Sequence, residues 1–213
     1  MAKIVLLGDI KVDDRPVEVD PALRQFLESA DCVIANLEGP IIESAKPRLD
    51  KKRPLASSHN IASLLKQLNV SVLTFGNNHI MDFGIEGLVE SINFVEELGI
   101  EWVGATDGQD SRRKEVLRLE ELNVALISYA HREGPVASSD GGGIGPYVLP
   151  SRGKLRREIC DLKESGYSVI VSYHGGEEFH NTPWPRRLGW ASSLVEFGAL
   201  AVYGHHSHAI QPV

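Results

Sequence analysis

Imidazole, amide and carboxylate side chains recur in this sequence just after apolar, β-branched runs. Together they form a donor set that suits a divalent metal. The densest stretch is Phe75–Gly87, Phe-Gly-Asn-Asn-His-Ile-Met-Asp-Phe-Gly-Ile-Glu-Gly. It follows the run Val70–Phe75, so Asn77, Asn78, His79 and Asp82 fall at the carboxyl end of an expected strand. Open α/β sheets keep their ligand crevices there. Asn oxygen and His nitrogen can both ligate a metal, and His79 could instead donate a proton or steady an oxyanion.

One loop cannot complete a metal site, and other strand ends offer candidates. Asp9 follows Lys3–Leu7 and Gly8. Glu38 lies in Asn36-Leu37-Glu38-Gly39 after Cys32–Ala35. His174 follows Val169–Tyr173 and precedes Gly175-Gly176-Glu177. His205, His206 and His208 follow Ala199–Tyr203 and Gly204. If the strands are mostly parallel, all these groups sit at one edge. Hard oxygen ligands mixed with imidazoles suit Mn, Fe or Zn. A carboxylate able to bridge, with histidines on either side, suits two ions roughly 3.5–4 Å apart, which can hold a phosphoester oxygen and activate water.

The elements that must position these groups are legible between them. Asp20-Pro21 predicts an N-cap with Pro at the first helical position, and a helix to about Ala30 with Leu23, Phe26 and Leu27 on one face. Ile61–Leu68 is a short predicted helix. In Glu86–Leu98, Leu88, Ile92, Val95 and Leu98 repeat at helical spacing, with Gly99 as the stop. Glu115–Leu119 and Val124–Tyr129 predict a hairpin turning at Glu121-Leu122-Asn123. Ser151 predicts the cap of a helix to about Ser165, and Leu188–Phe197 predicts another. Alternating strands and helices imply an α/β fold with much parallel pairing, and the hairpin implies a mixed sheet or two packed sheets.

The chain has 213 residues, enough for one domain with a sizeable core. Its apolar fraction of 42% and charged fraction of 24% are those of a soluble globular protein. A net charge of −7 argues against a nucleic-acid footprint. No stretch is apolar enough to span a membrane. The first residues read as a core strand rather than a signal peptide, so a cytoplasmic location is expected. Cys32 and Cys160 make no disulfide framework and are expected in or near the core.

In order and spacing, Gly8-Asp9, Asn36-Leu37-Glu38, Gly76-Asn77-Asn78-His79 with Asp82 and Gly84, His174-x-Gly176-x-Glu178 (or Glu177), and Gly204-His205-His206-x-His208 with Gln211-Pro212 resemble the bacterial capsule-synthesis (poly-γ-glutamate synthesis, CapA-like) family. That family is related in fold to the calcineurin-like metallophosphoesterases, and the resemblance covers nearly the whole chain as a single domain, 1–213. It implies a four-layer α/β/β/α sandwich with two mixed sheets. By analogy, Asp9 and His208 would hold one metal, Asn78, His174 and His206 a second, and Glu38 would bridge. His79 would protonate a leaving oxygen and Asp82 would orient it.

The departures shape the expectation. Lys11 stands where the phosphoesterases carry a histidine, so the first metal is short of a ligand. A single-metal or metal-free site is then an alternative, and Lys11 could neutralise a substrate carboxylate or phosphate. Ser207 replaces the usual Pro and Gly175 the usual Trp. Relatives generally continue past the position of Val213 with further strand, so a truncated chain or a missing core strand stays open. Lys11, Asn77, Glu177, Arg187 and His205 are the expected substrate contacts. The basic loop Lys46–Arg53 reads as a solvated loop before it reads as an anion trap. Gly141–Gly145 lacks the ending of a phosphate-binding loop and reads as a lid or turn, and His131-Arg132-Glu133 could face the crevice. Trp190 is expected in the core, with Trp184 and Arg187 at the pocket mouth.

These readings lead to a metal-dependent, phosphoesterase-type hydrolase of an anionic small molecule or polymer end. The alternative is a non-enzymatic accessory protein that binds a capsule polymer such as poly-γ-glutamate.

Overall fold

The computed structural model describes residues 2–13, 15–131 and 143–211. In chain order the elements are β1 (Ile4–Ile10), α1 (Pro21–Glu28), β2 (Cys32–Leu37), α2 (Ile61–Gln67), β3 (Val72–Thr74), α3 (Gly84–Glu97), β4 (Glu101–Val103), β5 (Ala105–Thr106), β6 (Arg113–Lys114), β7 (Val116–Leu119), β8 (Val124–Ala130), β9 (Gly145–Pro146), α4 (Arg152–Glu164), β10 (Ser168–His174), α5 (Pro185–Phe197) and β11 (Ala201–His205).

Strands β1-β2-β3-β4 form one sheet, with every pair parallel. Strands β11-β10-β8-β7 form a second, parallel except for the β7–β8 hairpin. A small antiparallel sheet, β6-β5-β9, adds to these. The fold is therefore mixed α/β, as expected.

Side-chain alternation explains why the central strands are apolar throughout. On β2, Val33, Ala35 and Leu37 join a cluster with Leu27, Ile61, Leu65, Leu88, Ile92 and Val95 from α1, α2 and α3. Cys32 and Ile34, pointing the other way, join a cluster that also holds Val124, Leu126 and Ile170 of the second sheet. On β8, Ala125, Ile127 and Tyr129 instead meet Leu155, Ile159 and Leu194 of α4 and α5. Each sheet thus buries one face on helices and contributes from the other to a cluster shared by both sheets.

Local signals hold well at helix starts. Asp20 accepts hydrogen bonds from the Ala22 and Leu23 amides with Pro21 at the first position. Ser151 accepts from the Lys154 amide and opens α4. The α1 stripe is only partly used: Leu27 is buried, while Leu23 and Phe26 are exposed and the Lys3 ammonium lies 3.7 Å over the Phe26 ring. Leu98 is exposed as the cap of α3 rather than part of its buried stripe. In the β7–β8 hairpin Asn123 takes the left-handed conformation, φ 52°.

Strand β1 runs three residues beyond the expected Leu7. Asp9 and Ile10 pair with Asn36 and Leu37, after a register shift between Leu6 and Asp9, so ladder hydrogen bonds to β2 carry the strand past Gly8. Trp190 is partly buried against the α4–α5 cluster, with the Arg152 guanidinium 4.9 Å over its ring. Cys32 is buried and Cys160 half-buried. The Gly141–Gly145 loop, Arg132-Glu133, Pro212 and Val213 fall wholly or partly outside the described residues. Among the described residues no helix is long and apolar enough to cross a membrane.

Candidate metal centre

Register builds the site. In the first sheet Asp9 pairs with Asn36, which pairs with Thr74. In the second, Ala130 pairs with His174, which pairs with His205. Both rows lie at the carboxyl ends of parallel strands. Strands β1 and β11 are the edges of their sheets, and their ends meet. Asp9 Oδ1 lies 2.9 Å from His205 Nδ1, and the His206 amide donates to Asp9 Oδ2 at 3.4 Å.

Asn36 joins the groups on the first row to those on the second. Its side-chain amide donates to Asp9 Oδ1 at 2.8 Å and to Glu38 Oε2 at 3.0 Å, and sits 3.4 Å from His174 Nδ1. Its carbonyl accepts from Thr74 Oγ1 at 3.1 Å. His174 lies 3.6 Å from Glu38 Oε2, 4.0 Å from Asp9 Oδ1 and 3.2 Å from His206 Nδ1. His208 Nδ1 lies 3.7 Å from Asp9 Oδ2. Ligand atoms of Asp9, Glu38 and His174 all fall within 4.8 Å of one another. His206 and His208 reach these places with φ of 88° and 48°. The left-handed backbone at His206 is costly for a side-chain-bearing residue, and such strain clusters at functional sites.

The electrostatics suit a cation. Burial and the nearby Asp9 charge push the Glu38 carboxyl up to about 8. Burial works the same way on Asp9, but hydrogen bonding and attraction from His205, then attraction from His174, outweigh it and hold Asp9 below the usual carboxylate range. Burial pushes His174 well below the usual imidazole value, which leaves a neutral ring able to ligate. Glu38 Oε1, Asn78 Oδ1 and His205 Nε2 are buried and find no hydrogen-bond partner among the described residues. Shielded acceptors of this kind call for a bound group. The two carboxylates and the imidazoles gathered here fit Mn, Fe or Zn.

Beside this centre, His79 Nδ1 lies 2.6 Å from Asp82 Oδ2, and His79 Nε2 lies 3.9 Å from Glu38 Oε1. Asp82 is fully buried. Burial would raise its carboxyl, yet the hydrogen bonds from His79 and the Leu55 amide, with the Lys51 ammonium beside it, bring it below the usual range.

The expected substrate contacts are placed less uniformly. Asn77 is fully buried and spent internally: its amide donates to the Leu37 carbonyl at 2.7 Å, and its oxygen accepts from the His79 and Ile80 amides. Lys11 pairs with Asp13. Glu177 lies 3.6 Å from His180, while its neighbour Glu178 is the one near His206, at 4.0 Å. His205 is buried against Asp9. Arg187 donates to the His205 carbonyl at 2.9 Å and to Gln211. A Cβ at Gly204 would stand 2.4 Å from its Nη2 and one at Gly176 2.9 Å from its Nη1, so these glycines form a slot for the guanidinium. His131 packs on Gly175, where a Cβ would stand 2.6 Å from the His131 Cβ, and its amide donates to the His174 carbonyl. Trp184 is half-exposed at the start of α5.

Two contributors went unassigned from sequence. Asn36 stands two residues before Glu38, and strand alternation by itself puts both side chains on one face. Lys51 carried no such signal. A second grouping, Glu43, His59 and Glu90, is more exposed.

Residues 3–213 match the family model described as bacterial capsule synthesis protein PGA_cap. The chain belongs to this family. It is 28% identical over 195 residues to the capsule biosynthesis protein CapA of Bacillus anthracis, covering 87% of this chain and 47% of the relative. It is 26% identical over 199 residues to the PGA biosynthesis protein CapA of Bacillus subtilis (strain 168), covering 92% and 51%. A probable polyglutamine synthesis accessory protein of Mycobacterium tuberculosis is 29% identical over 198 residues, covering 87% and 52%. The chain spans about half the length of these relatives. Its capsule and poly-γ-glutamate synthesis family, expected from the motifs, is thus established.

Proposed function

We propose that this PGA_cap chain is a metal-dependent hydrolase of phosphoesterase type, acting on an anionic small molecule or polymer end. The observation that carries the proposal is the convergence of Asp9, Glu38 and His174 within mutual ligand distance, ringed by His205, His206 and His208. The same reading takes the two sheets and their helices as the four-layer α/β/β/α sandwich of the metallophosphoesterases. The apolar cluster common to both sheets supports it.

Asp9, Glu38, Asn78, His174, His206 and His208 would hold one or two ions of Mn, Fe or Zn. An ion bound there would supply Lewis acidity, neutralising an anionic oxygen and making water a better nucleophile. The chain's own residues do the rest. His174 offers a neutral ring. Asp82 accepts from His79 Nδ1–H and leaves Nε2 directed toward Glu38, so a ring protonated at both nitrogens can hand its Nε2 proton to a leaving oxygen and keep the Nδ1 one. The test is elemental analysis of purified protein, followed by hydrolysis of a generic phosphomonoester and phosphodiester after stripping and refilling with each metal. Turnover lost in His79→Ala and His206→Ala is expected. Metal-bound protein without any turnover would overturn the proposal.

A second reading, an accessory protein that holds capsule polymer without cleaving it, is favoured by two observations. Lys11 occupies a ligand position of the phosphoesterases and pairs with Asp13, and the mycobacterial relative is named an accessory protein. Titration with γ-glutamyl oligomers separates the readings, because binding without cleavage supports this one.

A further inference from the structure

One cation of the basic loop that precedes α2 is turned toward a fully buried acid. Lys46, Lys52 and Arg53 are exposed, and Arg48 is paired with Asp50. Lys51 turns inward, 24% exposed, and places its ammonium 2.7 Å from Oδ1 of the fully buried Asp82. It also donates to the Asn78 carbonyl at 3.2 Å. The same loop grips Asp82 twice more: the Arg48 amide donates to the Asp82 carbonyl and the Leu55 amide to Oδ2, each at 2.9 Å. Among the described residues Lys51 is the only lysine or arginine paired with Asp82.

We propose that Lys51 is a positioning residue: it fixes the Asp82 carboxylate, and through it the Nδ1–H of His79, so that His79 Nε2 is presented to the metal centre. An ionised carboxylate only accepts hydrogen bonds, so the imidazole nitrogen 2.6 Å from Oδ2 must be the donor. A carboxylate buried without a counter-charge would instead take up a proton or rotate, and a protonated Asp82 could donate to Nδ1 and reverse the tautomer. The Lys51 ammonium prevents both by holding the second oxygen. Its bond to the Asn78 carbonyl ties the start of the same turn, so one side chain braces residues 78 and 82 around His79. The consequence for turnover rests on the hydrolase reading. The consequence for the His79 ring does not.

The experiment uses the full chain, metal-stripped, with long-range proton–nitrogen NMR of the histidine rings and His79→Gln to assign the His79 signals. Wild type is expected to show a protonated Nδ1 whose hydrogen exchanges slowly. Lys51→Met, with Lys51→Gln as a second variant should that one fail to fold, is expected to lose the protected proton, and Lys51→Arg to regain it. The metal-refilled variants are expected to lose about 10–100-fold in kcat with KM little changed. An unprotonated Nδ1 in wild type, or an unaltered His79 spectrum in the folded Met or Gln variant, overturns the proposal. Should wild type carry metal and show no turnover, the hydrolase reading fails, and the spectrum still decides the role of Lys51.

Discussion

At the scale of single residues, the site is held by an amide rather than by a charge. Asn36 has two side-chain protons, and Asp9 and Glu38 take them. Asn36→Ala leaves buried Glu38 and partly buried Asp9 each short of a donor. The expected cost is about 1–3 kcal/mol of stability, read from urea unfolding of stripped protein. Metal affinity should also fall about 10–100-fold, read by equilibrium dialysis, because Asn36 orients the ligands without being one. Unchanged affinity would mean that Asp9 and Glu38 are set by the backbone alone. A second residue-scale case lies on the opposite face of β8. There the Tyr129 hydroxyl lies 2.7 Å from Glu158 Oε2 and 2.8 Å from Glu115 Oε1. Burial, then the nearby Glu115 charge, raises the Glu158 carboxyl above its ordinary value, against the Tyr129 hydrogen bond and the Lys154 charge. A carboxyl raised on folding costs stability once pH passes its unfolded value, and the cost grows until the folded value is passed. Glu158→Gln keeps an acceptor for Tyr129 and removes the charge. Its melting temperature should therefore gain on wild type as pH rises above the ordinary glutamate value of about 4.3. A gap that is flat with pH would rule this out.

At the scale of elements, α5 is a brace for β11. Arg187 in its first turn reaches back to the His205 carbonyl through a slot that only glycines at 176 and 204 leave open. Gly204→Ala is expected to destabilise by about 1–3 kcal/mol, since the added methyl displaces a packed guanidinium. In a double-mutant cycle with Arg187→Ala the two losses should be far from additive. Additive losses would show that the slot and the guanidinium are independent. The sequence carried the ordinary elements clearly, because α1 and α4 announce themselves by their caps and the β7–β8 hairpin by its flanking runs. It could not carry β5, β6 and β9. These are two-residue strands, too short for any period, and they exist only through pairing with one another. Lys51 was hidden for the same reason. Nothing local distinguishes it from Lys52, and only the fold of the loop over Asp82 turns it inward.

At the scale of the whole molecule, the centre lies across two sheets. Asp9, Asn36 and Glu38 come from the first, His174 and His205–His208 from the second. Strand-end chemistry was readable from sequence because every group follows an apolar run, but which histidine meets which carboxylate depends on the register between strands and on the meeting of the β1 and β11 edges. A cation bound here would therefore cross-link two sheets that also share an apolar cluster. At a free concentration about 100 times its dissociation constant it should add about 2.7 kcal/mol of stability. The gain should have a distinct spatial pattern. Hydrogen exchange at residues 9–10 and 36–38 should slow together with exchange at 174–176 and 204–208 when Mn or Zn is added to stripped protein. Both responses should vanish in His174→Ala, which removes the ring nearest both Glu38 and His206. Slowing confined to one sheet would mean that the ion is held by that sheet alone, and that the meeting of the two strand edges serves the fold rather than the metal.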